Sequence, residues 1–261
     1  MLRTQALLTC HEINLQDVKC LTALVRLNGK CGSGRLKGDV VDNELIYKNA
    51  GNMELLSMLP SSPGRILDLG CGAGDNAAWL AGRGWRVTAV TIDPREREVA
   101  LPFCDEIHLG NLEEGLPAAV TGTFDVVLMS HVLEHLARPT QLLADVRERL
   151  AVDGAIAVAL PNVLHYSQRF RFLLGDFAYS DTGILDRTHL RFYTYSTGRI
   201  LLEENGFQVV EAVPDGSLPL WRLRPLIPAG KLERANRWAC LRRPDLLAYQ
   251  SLFLARVADS V

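Results

Sequence analysis

Residues Arg65 to Asn76 read Arg-Ile-Leu-Asp-Leu-Gly-Cys-Gly-Ala-Gly-Asp-Asn, and this stretch decides the fold. An apolar run containing one acid, Ile66 to Leu69, passes at once into Gly70, Gly72 and Gly74, then into the helix-compatible run Ala77 to Ala81. That order predicts a buried strand, a tight turn and the first turn of a helix. Glycine at every second position leaves backbone free of Cβ atoms, so a ligand can lie directly against it.

Working outward, the same alternation continues. Upstream, Leu45, Ile46, Met53, Leu55, Leu56 and Leu59 fall near helical spacing from Asn43, and Pro60-Ser61-Ser62-Pro63-Gly64 ends the pattern. Downstream, Trp85 to Ile92 predicts a second strand, Ile107 to Leu109 a third, and Phe124 to Met129 a central fourth. A helix over Thr140 to Leu150 ends at Asp153-Gly154, and Ala155 to Leu160 forms a fully apolar fifth strand, as expected of one covered on both faces. Helix Ser196 to Glu204, strand Phe207 to Val213 and strand Tyr249 to Val257 close the domain. Strands and helices in alternation predict an α/β fold with a doubly wound, mostly parallel sheet. Residues 1–40 read as an N-terminal extension, with one amphipathic helix over Leu15 to Val25 broken by Asn28 to Gly34; residues 41–261 form the main domain. Two insertions interrupt it, over about 163–194 and 218–244.

At 261 residues, with 48% hydrophobic and 22% charged side chains, the chain has ordinary globular composition and length enough for a sizeable core. The net charge of −2 excludes a general attraction to nucleic acid, and no run of 18 apolar residues predicts a membrane span. The N-terminus lacks the pattern of an export signal, so a cytoplasmic location is expected. Cys10, Cys20, Cys31, Cys71, Cys104 and Cys240 show neither Cys-x-x-Cys nor a matching His spacing. They read as reduced thiols, and the spacing shows no metal-ligand set.

Four stretches carry a family resemblance. The spacing Gly-x-Gly-x-Gly, with Asp75 where a dinucleotide fingerprint needs a small residue, speaks against a nicotinamide-dependent oxidoreductase. Asp68-Leu69-Gly70-Cys71-Gly72-Ala73-Gly74 instead resembles motif I of the class I S-adenosylmethionine (SAM) methyltransferases. Phe124 to Pro139, F-D-V-V-L-M-S-H-V-L-E-H-L-A-R-P, is similar to their small-molecule branch, which includes ubiquinone O-methyltransferases and enzymes of polysaccharide gene clusters. Pro161-Asn162-Val163-Leu164-His165 and Gly183 to Thr194, G-I-L-D-R-T-H-L-R-F-Y-T, resemble a bacterial group associated with cell-surface glycans.

The resemblance implies a seven-stranded sheet ending in an antiparallel edge hairpin, SAM as cofactor, and a donor site on Asp68, Gly70, Cys71, Gly72 and Gly74. It implies an acid at the end of the second strand for the ribose hydroxyls; here Thr91 holds that position and Asp93 follows two residues later, so either Asp93 reaches back or Thr91 and water serve. Asn111 stands where an Asp usually accepts from adenine, with the Leu112 backbone beside it; the other reading is a turn Asn. Ser130 and His131 would border the methyl-transfer pocket. The insertion at 163–194 would border the acceptor, offering Asp186, Arg187, Arg191 and Tyr193; the alternative is a surface loop tied by its own Asp186, Arg187 and Arg191 ion pairs.

Transfer to a hydroxyl benefits from a base working near neutral pH, which suits histidine. His189, then His131, then His165 are the candidates. The expected reaction is O-methylation of a glycan, a lipid-linked sugar or another small hydroxylated acceptor; a non-catalytic SAM-binding regulator is the remaining alternative. From Trp221 to Arg243, seven basic residues face Glu233 alone among apolar ones, a composition suited either to the inner face of an anionic membrane or to a solvated helix. No nucleic-acid-binding module is visible.

Overall fold

The computed structural model describes residues 51–219 and 227–258. The N-terminal extension, the start of the helical pattern at Asn43 and the stretch 220–226 lie outside the described residues. Seven strands form one sheet: β1 (Arg65–Leu69), β2 (Arg86–Thr91), β3 (Glu106–Leu109), β4 (Phe124–Ser130), β5 (Leu150–Pro161), β6 (Phe207–Gly216) and β7 (Ala248–Val257). Their order is β3-β2-β1-β4-β5-β7-β6, parallel through β5 and antiparallel on both sides of β7. The order reverses between β1 and β4, and in open α/β sheets ligands lie outside the carboxyl ends of the strands at such a point.

Period-two alternation divides the strands between two cores. Leu67, Leu69, Val127, Met129, Ile156 and Val158 enter one cluster, and Ile66, Val126, Leu128, Ala157 and Ala159 the other. The described α-helices are α1 (Met53–Ser57), α2 (Asp75–Ala81), α3 (Pro94–Ala100), α4 (Pro139–Arg149), α5 (Tyr166–Leu173), α6 (Tyr195–Glu204), α7 (Ala229–Arg242) and α8 (Pro244–Leu247), with short 3-10 turns over Leu101–Phe103, Leu112–Glu114 and Leu133–His135. Both faces of β4 and β5 are thereby buried.

Three boundaries differ from expectation. Within the described residues the first helix starts only at Met53, because the Asn52 side chain caps it by accepting from Leu55 N–H. Helix α4 stops at Arg149 and β5 begins at once, so Asp153-Gly154 sits inside a strand; Asp153 has φ of 64° beside a register shift opposite Phe124 and Val126. The sixth strand runs on through Pro214, which it tolerates at the sheet edge. Asp125 fastens the start of β1, its Oδ2 accepting from Arg65 N–H at 2.7 Å.

Candidate functional site

At the carboxyl end of β1 the chain turns through three left-handed glycines, Gly70, Gly72 and Gly74, with φ of 71°, 53° and 86°. Gly70 and Cys71 N–H both donate to Val90 O, pinning the turn to β2. A Cβ on Gly74 would lie 2.8 Å from Ala100 Cβ, so α3 packs there only against glycine. A Cβ on Gly70 would meet Val132 Cγ2 at 2.8 Å, which shows how closely the turn abuts the segment after β4. Beneath the turn, Asp68 is 1% exposed and neither carboxylate oxygen has a hydrogen-bond partner; burial pushes its pKa up to about 7. Burial also raises the Cys71 and Cys104 thiols, aided by the Asp68 charge, and keeps both protonated and inert.

Beside it, both sequence candidates at the end of the second strand are engaged within the protein. Asp93 caps α3, accepting from Arg95 N–H at 2.8 Å, and pairs with the Arg95 guanidinium at 2.6 Å, which holds its carboxyl below the usual range. Thr91 is buried, and its hydroxyl donates to Glu96 Oε2 at 2.8 Å. Glu96, in the first turn of α3, is thus the acid brought to the end of β2, and its charge bears on Cys71 in the glycine turn. Sequence reasoning missed it because the residue reaches back from a helix; its spacing of five from Thr91 was the available signal. Asn111 caps a turn, its side-chain oxygen accepting from Glu113 N–H at 3.1 Å at the start of a short 3-10 turn that begins at Leu112.

The family profile described as "Methyltransferase domain" matches residues 42–212, two thirds of the chain. The chain belongs to the class I SAM-dependent methyltransferases. It is 30% identical over 124 residues to trans-aconitate 2-methyltransferase of Deinococcus radiodurans, covering 47% of this chain and 48% of that protein. It is 36% identical over 103 residues to the ubiquinone biosynthesis O-methyltransferase of Caulobacter sp., covering 38% and 41%. The methyltransferase therefore spans about half or less of the length of these curated relatives. Among solved structures, a SAM-dependent methyltransferase from Archaeoglobus fulgidus superposes with a TM-score of 0.52 at 20% identity, covering 75% of this chain and 86% of that one. One from Mesorhizobium loti gives 0.53 at 17%, covering 78% and 96%. SAM is the family's cofactor, and the orphaned Asp68 carboxylate beneath a cradle of left-handed glycines fits a ligand with a cationic amino-acid tail.

The other half of the methyltransferase's rim follows β4. Ser130 Oγ accepts from Asn52 at 3.3 Å, and His131 adopts φ of 58°, uncommon for a residue with a Cβ. The His131 ring lies 3.1 Å from Glu134 Oε1 through Nδ1 and 2.9 Å from Gln250 Oε1 through Nε2. Burial alone would lower its pKa, but the bonds to Glu134 and Gln250 and the Glu134 charge outweigh that and raise it. Asn52 and Gln250, contributed from opposite ends of the domain and bonded to each other at 3.0 Å, carried no sequence signal. His131 therefore has no ring nitrogen free for an acceptor.

Glu134 is fully buried, its Oε2 has no partner, and its backbone carbonyl accepts from Leu190 and Arg191 N–H, fastening the insertion to the rim. His189 is thereby brought within ring contact of His135, at 4.8 Å between centroids. Its Nδ1 lies 3.0 Å from Ile184 O, and a carbonyl only accepts, so Nδ1 carries the proton and Nε2 keeps a lone pair. Burial holds its pKa below the usual value against the Glu134 charge. Tyr193 is also buried with an unpartnered hydroxyl, pushed up to about 12 by burial.

The remaining candidates are placed differently. Asp186 accepts from Thr188 N–H and hydroxyl at 2.8 and 2.6 Å, Arg187 pairs with Asp181 at 2.7 Å, and Arg191 donates to Ala137 O. The segment is tied to itself and the rim, but not through the Asp186, Arg187 and Arg191 ion pairs that the sequence suggested. His165 is packed against Tyr166 and Tyr249, bonds Ser167 at 2.8 Å, and is pulled down to about 4 by burial, too weak a base for neutral pH. Where the sequence spacing showed no metal-ligand set, the fold gathers Glu134, His135 and His189, with ligand-type atoms within 4.8 Å of one another, a set able to hold a metal ion.

Proposed function

We propose that the protein methylates an oxygen of a small hydroxylated acceptor, a glycan, lipid-linked sugar or other small molecule, with His189 receiving the acceptor's proton. One observation carries the reading: the Ile184 carbonyl fixes the His189 tautomer that leaves Nε2 as a proton acceptor. Bound SAM supplies an activated methyl carbon on a sulfonium. The glycine turn admits its amino-acid tail, Asp68 takes the ammonium, and Glu96, braced by Thr91, takes the ribose hydroxyls, matching two carboxylate oxygens to a vicinal diol. The Leu112 backbone and Asn111 border the adenine. His131, held at both nitrogens, orients Glu134 and thereby the insertion, and the Tyr193 hydroxyl awaits a polar group of the acceptor. An oxygen acceptor is in keeping with the O-methyltransferase relatives.

A second reading rests on the Glu134, His135 and His189 set. Both imidazoles anchor Nδ1, on Ile184 O and on Thr188 Oγ1 at 3.1 Å, the arrangement in which the far nitrogen ligates a cation. An ion there would lower the acceptor hydroxyl's pKa in place of the base. The test is comparison of glycans and small molecules between a deletion strain and its parent, followed by assay of the purified protein with SAM on the compound that loses a methyl. Methyl gain that survives chelation supports the His189 base, and dependence on added divalent metal supports the second reading. Tight SAM binding with no acceptor methylated in cells or in vitro overturns both in favour of a non-catalytic SAM-binding protein.

A further inference from the structure

Helix α7 lies beyond the part of the chain matched by the family profile, and nothing in the donor or acceptor site uses it. Its inner stripe, Ala239 and Cys240, closes a small core with Leu247, against which Tyr166 of α5, Leu218 and Leu246 pack. Asn236 on the same side accepts from Leu218 N–H at 3.1 Å, so the helix is seated in one orientation. The opposite stripe is therefore defined. Arg234, Arg237, Trp238 and Leu241 recur at helical spacing and are exposed, Trp238 at 64% and Leu241 at 57%.

Charge completes the pattern. Over the described residues 227–243, Lys231, Arg234, Arg237, Arg242 and Arg243 are opposed by Glu233 alone, although the whole chain carries −2. Arg242 lies over the Trp238 ring, 5.5 Å from its centroid, so the indole sits among cations while its outer surface faces water. On α5, whose first turn packs beneath α7, Phe170 and Leu173 are likewise exposed, at 59% and 82%. Large apolar side chains interleaved with arginines on one solvent face match a negatively charged interface with an apolar layer just below it. A nucleic acid offers the charge without a layer for Trp238 and Leu241 to enter.

We propose that the outer stripe of α7 docks the protein on the surface of an anionic lipid bilayer. The contact is peripheral, since no helix among the described residues is long and apolar enough to cross a membrane. It does not depend on the reaction proposed above: a protein that binds no acceptor would still dock.

The experiment is co-sedimentation of the full chain with vesicles of phosphatidylcholine alone and of phosphatidylcholine mixed with phosphatidylglycerol, in low and high salt. Binding is expected only to the anionic vesicles and should weaken with salt. Arg234→Gln with Arg237→Gln should reduce partitioning roughly twentyfold, taking about fivefold for each cation at the surface. Trp238→Ala with Leu241→Ala should reduce it while leaving the charge unchanged; SAM affinity, unchanged in both variants, reports that the fold is intact. Equal binding to neutral vesicles, no effect of either pair, or binding to a short DNA duplex in place of vesicles overturns the proposal.

Discussion

At the carboxyl ends of β1 and β2 the surface is mostly backbone, three left-handed glycines in a turn pinned to Val90, with two carboxylates, Asp68 beneath the turn and Glu96 leaning back on Thr91. At the carboxyl end of β4 it is mostly side chains, His131, Glu134, His135, His189 and Tyr193, gathered from segments about 60 residues apart and held by Asn52 and Gln250 from the two ends of the domain. The first half is a shape that any bearer of the same turn reproduces. The second is a set of contacts that depends on where an insertion of this chain docks. On the reading proposed above, a backbone-built donor half and a side-chain-built acceptor half would let one fold keep its cofactor while changing its substrate.

Five substitutions probe that division, the four on binding and turnover first, in decreasing order of effect. Gly72→Val should abolish SAM binding by calorimetry, because a branched side chain is strained at a φ of 53° and fills the cradle; retained affinity would place the donor elsewhere. His189→Ala should lower kcat by about a hundredfold with SAM affinity unchanged, as for loss of a general base; if donor affinity falls in parallel, the two halves are not separable. Glu96→Gln should weaken SAM roughly tenfold and leave kcat at saturating SAM alone, a charged hydrogen bond being worth about 1.5–3 kcal/mol, whereas Asp93→Asn, already committed to Arg95, should change it little.

The last test reads stability, and its sign follows from Asp68. Its carboxyl titrates near 7 when folded against an ordinary 3.8, so it opposes folding increasingly as pH rises from 3.8 to about 7 and by a constant amount above. Asp68→Asn should therefore stabilise the SAM-free protein on the order of 1–3 kcal/mol at pH 8 and hardly at all near pH 4. Thermal unfolding with and without SAM checks this; an equal shift at both pH values would mean that the carboxyl is not buried as an unpaired acid.

Legibility followed the same division. Gly70, Gly72 and Gly74 could be read directly, since consecutive residues specify a turn and only glycine fits its torsions. Asp93 is the nearest acid in sequence, but its pairing with Arg95 and the approach of Glu96 to Thr91 from the first turn of α3 could not be read there. His131 and His189 looked equivalent as histidines on the rim. Their difference lies in partners, Glu134 and Gln250 for one and a backbone carbonyl for the other, and partners are not a property of the local sequence.

Alternating apolar strands and amphipathic helices, with an acid and three glycines at the first strand's end, settled the family, the sheet and the donor turn without coordinates, because periodicity and torsional preference act between neighbours along the chain. The His189 tautomer, the Glu96–Thr91 contact, the Glu134 cluster and the outward stripe of α7 emerged only with the tertiary structure. Each depends on which side chains meet across the sheet or remain facing water, and burial and hydrogen-bond partnership are set by the packed whole.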